Sequence, residues 1–123
     1  MAASENHENC YVCSMSKRLQ QLTEFLKESP DDPFLTYALA TEYLKLGYTD
    51  DALHHYEALV SNHPDYVGTY YHLGKLYETL GRQADAVVTY ELGMQAARKK
   101  RDMHALSELQ AAYRMATGEE DDD

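Results

Sequence analysis

The feature that most constrains this chain is that it repeats itself. Residues 35–57 and 69–91 align without a gap at an offset of 34, and nine pairs are identical: Tyr37/Tyr71, Leu39/Leu73, Tyr43/Tyr77, Leu46/Leu80, Gly47/Gly81, Asp51/Asp85, Ala52/Ala86, Tyr56/Tyr90 and Glu57/Glu91. Pro30 and Pro64 carry the same register backwards. A repeat of this length is one supersecondary unit that cannot bury its apolar face alone. Stacked copies bury a shared core and hold a preformed surface.

The repeated residues describe two helices per unit. Leu39, Tyr43 and Leu46 fall at i, i+4 and i+7, which is one face of a helix. Gly47 and Gly81 follow that face where a left-handed C-terminal cap is wanted. A second helix opens with Asp50 and Asp51, acids suited to a positive helix N-terminus. Its face carries Ala52, Tyr56, Leu59 and Val60, and it ends before Pro64. Pro33, with Asp32 as N-cap, opens the first helix.

This spacing resembles the tetratricopeptide repeat, whose period is about 34 residues and whose pattern reads W-x2-L-G-x2-Y, A-x3-F and P. The first unit reads Thr36-x2-Leu39-Ala40-x2-Tyr43, Ala52-x3-Tyr56 and Pro64, and the second Tyr70-x2-Leu73-Gly74-x2-Tyr77 and Ala86-x3-Tyr90. Thr36 departs from the bulky aromatic, and the second unit lacks the closing proline. The resemblance implies an all-α, right-handed helical solenoid of antiparallel helix pairs. Tyr43, Tyr56, Tyr77, Tyr90 and Tyr113 fall at core positions, which accounts for much of a composition with eleven Tyr, two Phe and no Trp.

Half-repeats flank the two whole units. Residues 15–29 read as the second helix of an incomplete unit, with Met15, Leu19, Leu22 and Leu26 on one stripe. At the other end a step of 36 restores the register, matching Leu106-x2-Leu109-x3-Tyr113 to Tyr70-x2-Leu73-x3-Tyr77. The organisation read from sequence is therefore a repeat domain over 15–118, divided at 33–66, 67–101 and a capping helix at 102–117. About six helices result. Residues 1–14 and the acidic run 119–123 read as disordered flanks.

Composition bounds the function. The net charge is −10, half of it from Glu119 to Asp123, and such a chain repels phosphate backbones, so no nucleic-acid role is expected. No run approaches the roughly 20 apolar residues of a membrane helix, so no membrane role is expected either. His7, Cys10 and Cys13 have the spacing of a partial zinc site, but a structural zinc wants four ligands and no later cysteine supplies one. Two cysteines cannot staple a scaffold, which points to the cytoplasm. No phosphate loop, serine–histidine pairing or paired carboxylates are found. Neither a cofactor nor an enzymatic activity is expected. The basic run Arg98–Arg101 is read as offsetting the negative end of a helix.

The resemblance also implies a site. In this family the first helix of each unit lines a concave groove that takes a peptide. Carried over residue by residue, the groove is Phe34, Tyr37, Thr41 and Leu44 in the first unit and Tyr71, Lys75 and Glu78 in the second, with His104, Ser107 and Arg114 from the last helix. A subfamily that grips chaperone C-termini uses lysines, asparagines and an arginine. The matching positions here hold Tyr37, Thr41, His72, His104 and Glu108, and that mode is not expected. The expected function is binding of a protein or peptide in a partly aromatic groove. The rival reading is a self-associating subunit of a homo-oligomer or larger assembly, and an apolar exposed end helix is the feature that favours it.

Overall fold

A computed structural model describes residues 17–118. Among those residues there are six helices and no strand: α1 (Lys17–Glu28), α2 (Pro33–Lys45), α3 (Thr49–Asn62), α4 (Gly68–Thr79), α5 (Gln83–Lys100) and α6 (Met103–Thr117). The expected flanks at 1–14 and 119–123, with His7, Cys10 and Cys13, lie outside the described residues, as do Met15 and Ser16. The chain falls into two compact units, one ending at His55 and one beginning at Tyr56, so α3 contributes a half to each.

In the first unit α1 packs on α2 around Leu22, Ala38 and Leu39, with Leu19, Leu26, Leu35 and Tyr43 partly buried against them. The N-terminus of α2 is built as its spacing requires: Asp32 caps it by accepting from the Phe34 amide at 3.0 Å, and Pro33 follows in the first turn. Its C-terminus turns at Gly47, where φ is +87°, and the Tyr48 amide closes the turn on the Tyr43 carbonyl at 2.9 Å. Gly81 repeats the device one unit on, with φ of +78° and the Arg82 amide 2.8 Å from the Tyr77 carbonyl. The Glu42 carboxylate is buried and has two cations beside it, Arg18 at 3.6 Å and Lys45 at 3.9 Å.

In the second unit α4 packs on α5, α5 packs on α6, and α4 also touches α6. Close approach of α4 and α5 depends on two glycines. A Cβ on Gly74 would stand 2.2 Å from the Tyr90 ring, and one on Gly93 would stand 2.5 Å from Tyr70 Cβ. Ala86 and Ala97, both fully buried, complete the same small-residue stripe.

The pattern tyrosines divide. Tyr56 and Tyr90 are fully buried and Tyr77 nearly so, as the repeat implies, but Tyr43 and Tyr113 are only half-buried. The reason is lateral: Tyr77 has the Arg82 guanidinium 4.5 Å from its ring and its hydroxyl on Glu57, whereas Tyr43 rests against His55 at 5.1 Å and the exposed Tyr48 at 6.2 Å. The longer step of 36 also has a physical cause. Pro64 follows α3 closely, while Arg98 stands at the corresponding place in α5 and lets that helix run on to Lys100. Arg101 then makes the left-handed turn, at φ of +59°.

Candidate functional site

The first-helix residues singled out from the sequence are placed unit by unit. On α2, Phe34 is 53% exposed and Leu44 is 36% exposed, while Tyr37 is half-buried. Burial raises the Tyr37 phenol above its ordinary value, the contact with Thr41 opposing the rise. Thr41 donates from its hydroxyl to the Tyr37 carbonyl at 3.0 Å, a bond that holds Thr41 against its own helix.

On α4, Tyr71 and Lys75 are brought together. The ammonium lies 5.6 Å from the centre of the half-buried ring, a cation–π geometry. The His72 ring stands at right angles to the same ring, 5.8 Å between centres. Glu78 is partly committed elsewhere, since its carboxylate accepts the Tyr90 hydroxyl at 2.6 Å. On α6, His104, Ser107 and Arg114 are all exposed, and His104 lies 3.1 Å from Glu108 one turn on. Because α4 touches α6, these first-helix side chains of the second unit belong to adjacent helices.

Two features were not visible in the sequence. The first is His72, whose ring lies parallel to that of the buried Tyr56 at 6.2 Å between centres. Desolvation lowers its pKa below the ordinary histidine value, and the Glu108 charge only partly offsets that. The neutral form of His72 is thereby favoured at pH 7.

The second is a set of tyrosine–glutamate hydrogen bonds between helices. Tyr77 donates to Glu57 at 2.5 Å, Tyr90 to Glu78 at 2.6 Å and Tyr113 to Glu91 at 3.2 Å. Glu57 and Glu91 are one of the identical pairs of the repeat, so their recurrence was legible, but their partners were not. Burial first, then the bonded carboxylate, pushes the Tyr77 phenol up to about 12 and the Tyr90 phenol higher still.

On the second-helix side, a cavity of about 370 Å³ is lined by Pro64, Tyr70, Leu92, Ala96, Lys99 and others. Leu92 in that lining is 45% exposed, and Val88, one turn earlier on α5, is 52% exposed. Among the described residues no cluster of His, Cys, Asp and Glu could hold a metal ion, and no helix is long and apolar enough to cross a membrane.

Helix pairs, glycine-capped first helices and small-residue contacts define a helical-repeat protein, and comparison with known proteins makes the class specific. A family model for the tetratricopeptide repeat matches residues 37–102, and the chain belongs to that family. A tetratricopeptide repeat domain protein from Salinibacter ruber, solved by NMR, is 54% identical over 72% of this chain and 90% of its own, with a TM-score of 0.70. The TPR2B domain of yeast Sti1, solved in a complex with pHsp70, gives a TM-score of 0.77 at 18% identity over 96% of this chain and 94% of that one. PcrH, solved with the chaperone binding region of PopD, gives 0.76 at 12% identity over 97% and 90%. Comparison with curated protein sequences finds no significant match. The fold is thus the all-α tetratricopeptide solenoid.

Proposed function

We propose that this chain is a protein-interaction module that holds a peptide segment of a partner on the first-helix face of its repeats, with Tyr37 and Tyr71 as anchors. The observation that carries this reading is the environment of Tyr71. It recurs one repeat from Tyr37, its ring is half-buried, and it is flanked by the Lys75 cation and by the His72 ring at right angles to it. Aromatic rings with polar tips give contact area at little entropic cost, which is why they serve as binding hot spots. Phe34 and Leu44 add exposed apolar area, and Thr41, Glu78, His104, Ser107 and Arg114 the polar rim. Two structural neighbours were solved with protein partners, Sti1 with pHsp70 and PcrH with a region of PopD, which supports interaction as the general role. A non-catalytic part in the cytoplasm fits this reading.

The test is a selection of displayed peptides on the wild-type protein, followed by titration of the best binders against variants. Tyr37→Ala/Tyr71→Ala should keep its helical spectrum and melt while binding weakens by about 2 kcal/mol or more. Val88→Glu, on the second-helix side, should leave binding unchanged. A double variant that folds and keeps every peptide removes the groove from the account.

Self-association is the second reading, and α6 favours it. Its Met103 and Met115 are 58% and 61% exposed, large apolar side chains on the last described helix.

A further inference from the structure

One stripe of α5 lines open space along most of its length. Asp85, Val88, Leu92, Ala96 and Lys99 follow one another in steps of three, four, four and three, which puts them on one face of the helix. Val88 and Leu92 are the exposed large apolar side chains of α5. The stripe borders two hollows. A cavity of about 240 Å³ lies against Asp85, Val88 and Leu92, with Val60 of α3 and the buried Leu73 beside them. The cavity of about 370 Å³ at Pro64 lies against Leu92, Ala96 and Lys99. Leu92 borders both, so the two form one groove. From Asp85 to Lys99 it runs about 21 Å, at the helical rise of about 1.5 Å per residue.

The hydroxyls of the lining are already bonded. Tyr70 donates to the Pro64 carbonyl at 2.5 Å, Tyr77 to the Glu57 carboxylate at 2.5 Å, and Thr89 to the Asp85 carbonyl at 2.7 Å. The middle of the groove therefore offers apolar surface. Its helical walls pair their backbone groups internally and give an extended peptide no strand edge to join. A helix needs no such edge, and it brings apolar side chains at the same steps of three and four. The two ends differ in charge. Glu57 and Asp85 stand at one, Lys99 and Lys100 at the other. Arg82 pairs with Asp85 at 2.8 Å and Lys100 approaches Asp65 at 3.9 Å, whereas Lys99 is in no ion pair among the described residues. We infer that this groove is a second docking surface, taken by an amphipathic helix of a partner protein that carries an apolar stripe and has carboxylates in the turn lying over Lys99 and Lys100.

The charge layout also sets a direction. Acids favour the first turn of a helix and bases the last. A partner helix with its acids over Lys99 therefore runs antiparallel to α5, and its basic end meets Glu57 and Asp85. On a chain of net charge −10, the basic end of α5 is also where an acidic turn is least repelled. One helix in one groove is a small contact. Burial of Val88 and Leu92 supplies most of the affinity, and the exposed charges supply orientation. The groove shares no residue with the face that carries Tyr37 and Tyr71, so it does not depend on that reading.

The experiment selects, on the full chain, displayed alanine-rich helices of about 15 residues. Their apolar residues are randomised along one stripe, and either charge is allowed in each end turn. The enriched helices are titrated by fluorescence anisotropy against Val88→Glu, Leu92→Glu, Lys99→Glu and Tyr37→Ala/Tyr71→Ala, with circular dichroism to check each fold. They should carry Glu or Asp in the first turn. Val88→Glu and Leu92→Glu should each weaken them about tenfold or more. Val88 is 52% exposed, so its variant keeps the test open if Leu92→Glu does not fold. Lys99→Glu should weaken them about threefold, a loss that shrinks at high salt. The tyrosine double variant should bind them as wild type does. No enriched helix, or helices that bind Val88→Glu at full strength, overturns the docking surface. Helices without acids in the first turn, or full affinity for Lys99→Glu, overturns the assigned partner. Sedimentation velocity provides the last check: wild-type dimers that Val88→Glu dissociates would make a second copy the occupant and overturn the partner helix.

Discussion

Gly74 and Tyr90 make one contact from the smallest and one of the largest side chains, and neither can change alone. A Cβ at Gly74 would sit 2.2 Å from a ring atom of a tyrosine that is fully buried and tied by its hydroxyl to Glu78. Gly74→Ala gains about 1 kcal/mol of helix propensity, but overpacking of such a site costs about 1–3 kcal/mol. We expect a net loss, read as a lower urea midpoint. Ala40 stands at the same place one unit earlier and is fully buried, so an alanine there is tolerated in its own setting. Thr69 offers the opposite case. Its hydroxyl is buried without a hydrogen-bond partner, so Thr69→Val should stabilise by about 1 kcal/mol, the recovered desolvation of the group. An unchanged midpoint in that variant means the hydroxyl is satisfied in solution.

Helices in this chain depend on their ends and on the small residues between them. Asp102 caps α6 by accepting from the Ala105 amide at 3.1 Å. Asp102→Ala should cost about 1 kcal/mol, seen as faster hydrogen exchange in the first turn of α6 and a slightly lower melt. Ala52 and Ala86 are fully buried where the repeat needs close approach. Ala52→Leu and Ala86→Leu should each lose about 1–3 kcal/mol. Equal midpoints for wild type and both variants in urea would mean that neither alanine lies at a helix contact.

The pH range of the whole molecule follows from its buried rings. The folded pKa of Tyr77 is raised from 10.0 to about 12, and that of Tyr90 is raised further. In the folded state these phenols hold their protons where the unfolded chain has released them. The stability they contribute is complete below pH 10 and is lost as pH rises through about 12. His72 has the opposite sign. Its folded pKa is depressed below 6.5, so its contribution is present above that pH and lost as pH falls through the folded value. Urea midpoints should be flat from about pH 7 to 9.5 and decline on both sides. Tyr77→Phe should lose about 1.5 kcal/mol at neutral pH, as hydrogen bonds to charged groups do, and should show a weaker alkaline decline. A decline as steep as that of wild type would place the alkaline sensitivity elsewhere.

The repeat, the six helices, their glycine and aspartate ends and the buried Tyr56 and Tyr90 could be read from the sequence. Local physics sets them: helical periodicity, the left-handed freedom of Gly47 and Gly81, and the capping oxygen of Asp32 each act within a few residues. The candidate groove could be read only by register, which says which helix face a residue occupies and not what stands beside it. That Glu78 is engaged by Tyr90, that His72 is held against Tyr56 with its neutral form favoured, and that Tyr43 and Tyr113 are left half-open depended on side chains brought from other turns and other helices. Tertiary structure decided these because burial and hydrogen bonding depend on separation in space, and a period of 34 residues carries no record of which carboxylate a phenol will meet.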